Sequence, residues 1–252
     1  MSGQAVDDVF ALGTTGSTAG HLYLYRNGGG TSQQFASTGD VQPIYKPACP
    51  ANPDNPGDCT GYDTTNWAQT TQILAPGNLY TNGSPTALPS LLTVENGQLW
   101  AYQGTTYGSL TNPILLGASG GGTNWSQMTL IAPGLVNGTL TIWARDNATG
   151  AIYSYPVTVD GNGLPTLDKS NPGSPPTATS GTVITPAGAS LTSTGYPAVA
   201  SPGPLDNSSY PGLYAEDSSG NLRYYPGQSG SQPLSGTPIL VGPLNFAVTQ
   251  LS

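Results

Sequence analysis

Few side chains in this 252-residue chain are of types that could do chemistry, and their spacing narrows the options further. His21 is the only histidine. It has no serine elbow of the G-x-S-x-G kind to activate, so a Ser-His-Asp arrangement is not indicated. One His and two Cys are too few ligands for a zinc site. Glycosidase chemistry needs two carboxylates about 5–10 Å apart across a cleft. The thirteen acids include Glu95, Asp146, Glu216 and Asp217. These sit before Gly in repeated hairpin sequences, where such residues ordinarily serve the turn. The expectation is therefore no catalytic residue, no metal and no cofactor. Cys49 and Cys59 bracket the insert PANPDNPGD, which suggests a disulfide that pins a loop.

Aromatic residues offer more. Four Trp and fourteen Tyr stand against three Phe, so most rings carry a polar handle. Trp67 and Trp125 lie in the polar stretches DTTNWAQT (63–70) and GGTNWSQM (121–128), which share Thr-Asn-Trp. Tyr196 fills the equivalent place further on. An indole beside an amide suits a sugar, because the ring stacks on C–H faces while the amide binds hydroxyls. Asn66, Trp67, Asn124, Trp125 and Tyr196 are thus the candidate ligand-binding set, for a glycan. The competing reading is a spine residue that caps a sheet.

The elements that position these residues repeat. VFALGTTGSTAGHLYLY (9–25), LLTVENGQLWAY (91–102), TIWARDNATGAIYSY (141–155) and LYAEDSSGNLRYY (213–225) are one motif. Each is an apolar strand, a turn with Gly and a strand closing on Tyr. TTQILAPGNLYTNG (70–83), MTLIAPGLVNG (128–138) and YPAVASPGPLDN (196–207) precede three of them, with Pro-Gly read as the turn between the first two strands. The short runs PIY (43–45), PILLG (113–117), VIT (183–185) and PILVG (238–242) follow.

The closing strands begin at Leu22, Leu99, Ile152 and Leu222, which are 77, 53 and 70 residues apart. The step from Leu222 to the end and round to Leu22 is 52, close to the shortest internal repeat. A four-stranded unit of this size cannot bury both faces alone, whereas a radial array covers them. The fold expected is all-β: a single β-propeller over 1–252, four blades of four antiparallel strands. Phe246–Ser252 pairs with Val9–Leu12 to close the ring. An in-phase fragment of a longer array, with five or more blades, obeys the same arithmetic. Exposed loop inserts at about 47–63 and 168–182 account for the longer spacings.

LYAEDSSGNLRYYPG (213–227) and ARDNATGAIYSYP (144–156) carry a resemblance to the FG-GAP/VCBS-type propeller repeat common in secreted actinobacterial proteins, and the resemblance covers nearly the whole chain. It implies a propeller and leaves function open, since such propellers accompany hydrolases, lectins and adhesins alike. Family members often hold calcium between the first two strands. Here those segments (78–84, 135–139, 204–210 and 2–8) offer carboxylates only at Asp206 and at Asp7 and Asp8, short of a calcium shell.

Composition sets the remaining bounds. Gly (35) and Pro (24) fall between apolar runs of strand length, as in turn-rich β proteins. Five basic residues, scattered singly, against thirteen acidic give −8, which argues against nucleic acid. No run reaches the roughly 18 apolar residues of a membrane span. The cysteine pair and low Lys content point to an extracellular, secreted protein. Met1 runs straight into a truncated repeat, so a signal and further domains are expected upstream. The function expected is a non-catalytic, lectin-like binding module for a glycan or cell-surface polysaccharide. A protein-interaction or scaffold propeller is the alternative, and a hydrolase with acids at the axial channel the third reading.

Overall fold

The computed structural model describes residues 9–25, 41–49, 59, 61–80, 90–105, 108–119, 122–160, 163–167, 175–205, 209–230 and 233–243. The chain is a four-bladed β-propeller of antiparallel sheets. Blade 1 contains β1 (Val9–Leu12), β2 (Leu22–Tyr25) and β3 (Val41–Ile44). Blade 2 contains β4 (Thr70–Gly77), β5 (Ser90–Glu95), β6 (Gln98–Gly104) and β7 (Leu110–Gly117). Blade 3 contains β8 (Met128–Val136), β9 (Thr139–Asp146) and β10 (Ile152–Pro156). A small hairpin of β11 (Thr158–Val159) and β12 (Pro165–Thr166) follows, before the outer strand β13 (Thr182–Val183). Blade 4 contains β14 (Ala198–Ala200), β15 (Leu213–Glu216), β16 (Asn221–Tyr225) and β17 (Ile239–Pro243). The expected closing strand, 246–252, lies outside the described residues, as do Asp7, Asp8 and Asp206.

The blades meet through their first strands, β1 beside β4, β4 beside β8 and β8 beside β14. Alternation of side chains along each strand then feeds two seams at once. Leu91, Trp100 and Tyr102 pack toward blade 1 with Leu22, Leu24 and Ile44. Their neighbours Leu92, Val94, Leu99 and Ala101 pack toward blade 3 with Leu130, Ile142 and Ala144. Trp143 and Ile131 in turn meet Val199, Leu213 and Tyr225 of blade 4. This is why the strands read as nearly continuous apolar runs in the sequence.

Two sequence readings of the connections are corrected. Pro133-Gly134 is not the turn between β8 and β9. It sits inside β8, where the register slips between Ile131 and Gly134. A proline without an N–H fits where the ladder is already interrupted. The chain reverses at Asn137-Gly138, both with positive φ, the pairing that two-residue hairpins favour. Nor is the insert at 168–182 simply an exposed loop. Its described end docks: Ala178 is buried in the seam between blades 2 and 3, and Thr182–Val183 form the outer strand of blade 3. Ala118 N donates to Pro176 O and the Tyr155 hydroxyl to Thr177 O. The first insert is likewise tied in, since Cys49, Cys59 and Tyr62 all pack on the seam between blades 1 and 2.

Candidate functional site

Each Thr-Asn-Trp segment begins with an amide that folds the chain around itself. Asn66 Oδ1 accepts from Ala68 N at 2.8 Å. Asn124 Oδ1 accepts from Ser126 N at 3.0 Å, while Gln127 Oε1 accepts from Asn124 N, a complete capping box around the short 3-10 turn Trp125–Gln127. These turns aim the indoles inward. Trp67 is 2% exposed and Trp125 fully buried. Trp67 Nε1 donates to Ile44 O at 2.8 Å, and its ring meets Tyr102 edge-on at 5.1 Å. Trp125 lies 5.3 Å from Tyr155 and so close over Gly117 that an added Cβ would fall 2.4 Å from the ring. The expectation that both rings stack on a sugar is therefore corrected. Their faces are spent inside the seams, and the amide oxygens beside them are spent on the backbone.

What the segments do instead is dock blades. Trp67 N donates to Gly20 O and Trp125 N to Gly97 O, each crossing from one blade's hairpin to the approach of the next. In the third seam Ser193 N donates to Asn147 O, so the backbone contact persists without the indole. The hairpin glycine is part of the same joint. Gly97 and Gly150 have φ of 75° and 76°, and a Cβ on either would strike Asn124 or the backbone of Leu191 and Thr192.

Tyr196 is half-buried against the seam between blades 3 and 4. Its carbonyl accepts from Arg145 Nη1, and Arg145 Nη2 donates to Thr129 and Asn147. Burial draws the Arg145 guanidinium down to about 10. Tyr196 is thus placed among structural contacts, and the five candidate residues lie in three separate seams rather than one cleft.

The hairpin acids hold turns, as the sequence suggests. Asp146 Oδ1 accepts from Ala148 N, and Asp217 Oδ1 accepts from Ser219 N and Asn221 N. Arg223 pairs with Asp217 at 3.0 Å. Burial pushes the Asp217 carboxyl up, yet the donors from Asn221, Arg223 and Ser219 together hold it below the ordinary carboxylate value. Glu95 departs from this pattern. It is completely buried and paired with Lys46 across the seam between blades 1 and 2. Lys46 is one of only five cations in the chain and follows an outer strand by two residues, a signal that sequence reading passed over. His21 is exposed, its ring stacked at 6.2 Å on Tyr23. Among the described residues no three His, Cys, Asp or Glu side chains cluster as metal ligands would. Cys49 and Cys59 are bonded to each other.

One surface stands apart from this inward economy. Ile239, Leu240 and Val241 of β17 are 55%, 60% and 53% exposed. The same sequence motif in blade 2, Pro113–Gly117, is largely covered, with Ile114 facing one seam and Leu115 the other.

Fold and seams together define the class: a four-bladed β-propeller whose blades are joined by a hairpin glycine set against the next blade's approach. No family model, curated protein or solved structure matches the chain.

Proposed function

We propose that the chain is a non-catalytic binding module of a secreted protein, and that its ligand is an extended segment of a protein partner rather than a glycan. The observation that carries this reading is β17. It is the last strand of its sheet among the described residues and exposes three consecutive apolar side chains. An edge of this kind invites strand addition, in which backbone hydrogen bonds bind and alternate side chains select. Pro238 and Pro243 bracket the run and limit the addition to a few residues. The chain carries −8, so a neutral or basic segment with alternating apolar residues is the complementary partner, and a second equally acidic copy is disfavoured.

The glycan reading loses its main support with the burial of Trp67 and Trp125. Export to an oxidising compartment is supported by the Cys49–Cys59 disulfide. No helix among the described residues is long and apolar enough to cross a membrane. The likeness of the repeat to FG-GAP/VCBS sequences supports the same assignment and leaves the ligand open.

A displayed library of linear peptides and a glycan array, each run on the wild type and on Leu240→Lys/Val241→Lys, test the proposal. Selected peptides should alternate apolar residues and lose at least about tenfold in affinity for the variant, the equivalent of about 1.4 kcal/mol. Glycan binding that survives in the variant, or peptides indifferent to the substitutions, would overturn it.

A further inference from the structure

The seam between blades 1 and 2 encloses two opposite charges with no exposed side-chain surface at either. Lys46 comes from the segment after β3 and Glu95 from the end of β5. The Lys46 ammonium pairs with Glu95 Oε2 and lies 4.7 Å from the Tyr62 ring centroid and 5.2 Å from that of Trp67. The other carboxylate oxygen, Oε1, accepts from Thr93 Oγ1 at 2.6 Å and from the Tyr102 hydroxyl at 2.7 Å. An amine nitrogen is thus held against one carboxyl oxygen while two hydroxyls hold the other. The ammonium lies against Tyr62 and Trp67, in a seam whose apolar core also holds Trp100 and Leu91.

Removing two full charges from water is expensive, and their attraction returns that cost only incompletely. Joining them covalently removes both charges. We propose that Lys46 and Glu95 condense into an intramolecular amide that crosslinks blade 1 to blade 2.

The step needs no oxidant, metal or co-reactant. One ammonium proton passes to Oε2, and the freed amine attacks Cδ. Negative charge develops on Oε1, where the Tyr102 and Thr93 hydroxyls already point, an arrangement that stabilises tetrahedral intermediates elsewhere. A second proton leaves nitrogen for Oε2, the Cδ–Oε2 bond breaks, and Oε2 departs as water. One N–C bond forms, one C–O bond breaks, and the amide keeps one hydrogen. The ion pair holds the amine one bond away from the carbon it must reach, and reactants held together in this way, once aligned for attack, react as if at effective concentrations on the order of 10⁵–10⁸ M. Expulsion of the water from an apolar seam removes the reagent for the reverse reaction.

The crosslink would join residues 46 and 95 beside the Cys49–Cys59 disulfide, so the same corner of the ring carries two covalent ties. The blades would then be unable to separate there even when the rest of the ring opens.

Intact-mass measurement of the purified full chain, unreduced, tests this directly. The expected mass is one water below that of the disulfide-bonded sequence, and a digest should yield one branched peptide containing both Lys46 and Glu95. Lys46→Met should restore the full mass. Tyr102→Phe, which keeps the ring but removes one donor to Oε1, should give a mixture of joined and unjoined chains. A wild-type mass with no water missing, and separate Lys46 and Glu95 peptides, overturns the proposal even if neither variant folds.

Discussion

Trp67 and Trp125 share a three-residue motif yet make different bonds. The Trp67 indole N–H reaches Ile44 O, whereas Trp125 Nε1 is buried with no hydrogen-bond partner among the described residues. Truncation to Ala should cost about 3–5 kcal/mol at either site, too blunt to separate the two. Phe keeps most of the ring and isolates the N–H. Trp67→Phe should lose about 1 kcal/mol more stability than Trp125→Phe, because only the first gives up a hydrogen bond and leaves an acceptor unmet. Chemical denaturation of the pair checks this; equal losses would show that ring volume alone sets the cost. The Asn-Trp pairing that resembles a sugar site in the sequence is, at the residue scale, a cap followed by a buried anchor.

At the scale of the element, the hairpin between the second and third strands is the joint. Its glycine has a backbone that L-residues rarely adopt and also sits under the neighbouring blade. Gly150 and Gly220 separate these two demands. Both have positive φ, at 76° and 78°, but among the described residues only Gly150 of the two has backbone atoms within reach of an added Cβ, the nearest at 2.4 Å. Gly220→Ala should therefore cost about 1–2 kcal/mol, the cost of the left-handed conformation with no described neighbour displaced. Gly150→Ala should cost clearly more, because Leu191 and Thr192 must shift as well. Thermal melts of the two variants, compared in one buffer, give the answer, and equal shifts would remove the docking role. The glycines were visible as turn residues from their place after Asp, Asn or Glu. Their second role was not, because nothing in a hairpin sequence says which chain lies above it.

For the molecule as a whole, the seams are the core. Each described seam is built from two blades, so no blade has a core of its own, and opening one seam exposes apolar surface on both sides. The expectation that Phe246–Ser252 pair with Val9–Leu12, outside the described residues, is open to a direct test. Deleting 246–252 should abolish cooperative unfolding, measured as a broad, low-enthalpy calorimetric transition. A truncated chain that melts like the full one would mean the ring does not depend on its terminal strand.

The sequence by itself determined the all-β class, the four-fold repeat, the hairpins at Asn96-Gly97 and after Asp146, and the Cys49–Cys59 bond. These follow from local signals: alternation along a strand, turn residues at fixed offsets, and two cysteines close together in a loop. Tertiary structure decided which face each strand residue shows and to whom. It turned Trp67 and Trp125 inward, placed Pro133-Gly134 within a strand, and brought Lys46 to Glu95 across 49 residues. It also covered Pro113–Gly117 while leaving Ile239, Leu240 and Val241 exposed, although the two motifs are nearly identical. The physical reason is that a blade's sequence specifies its own sheet, whereas burial depends on what the adjoining blade supplies at that depth.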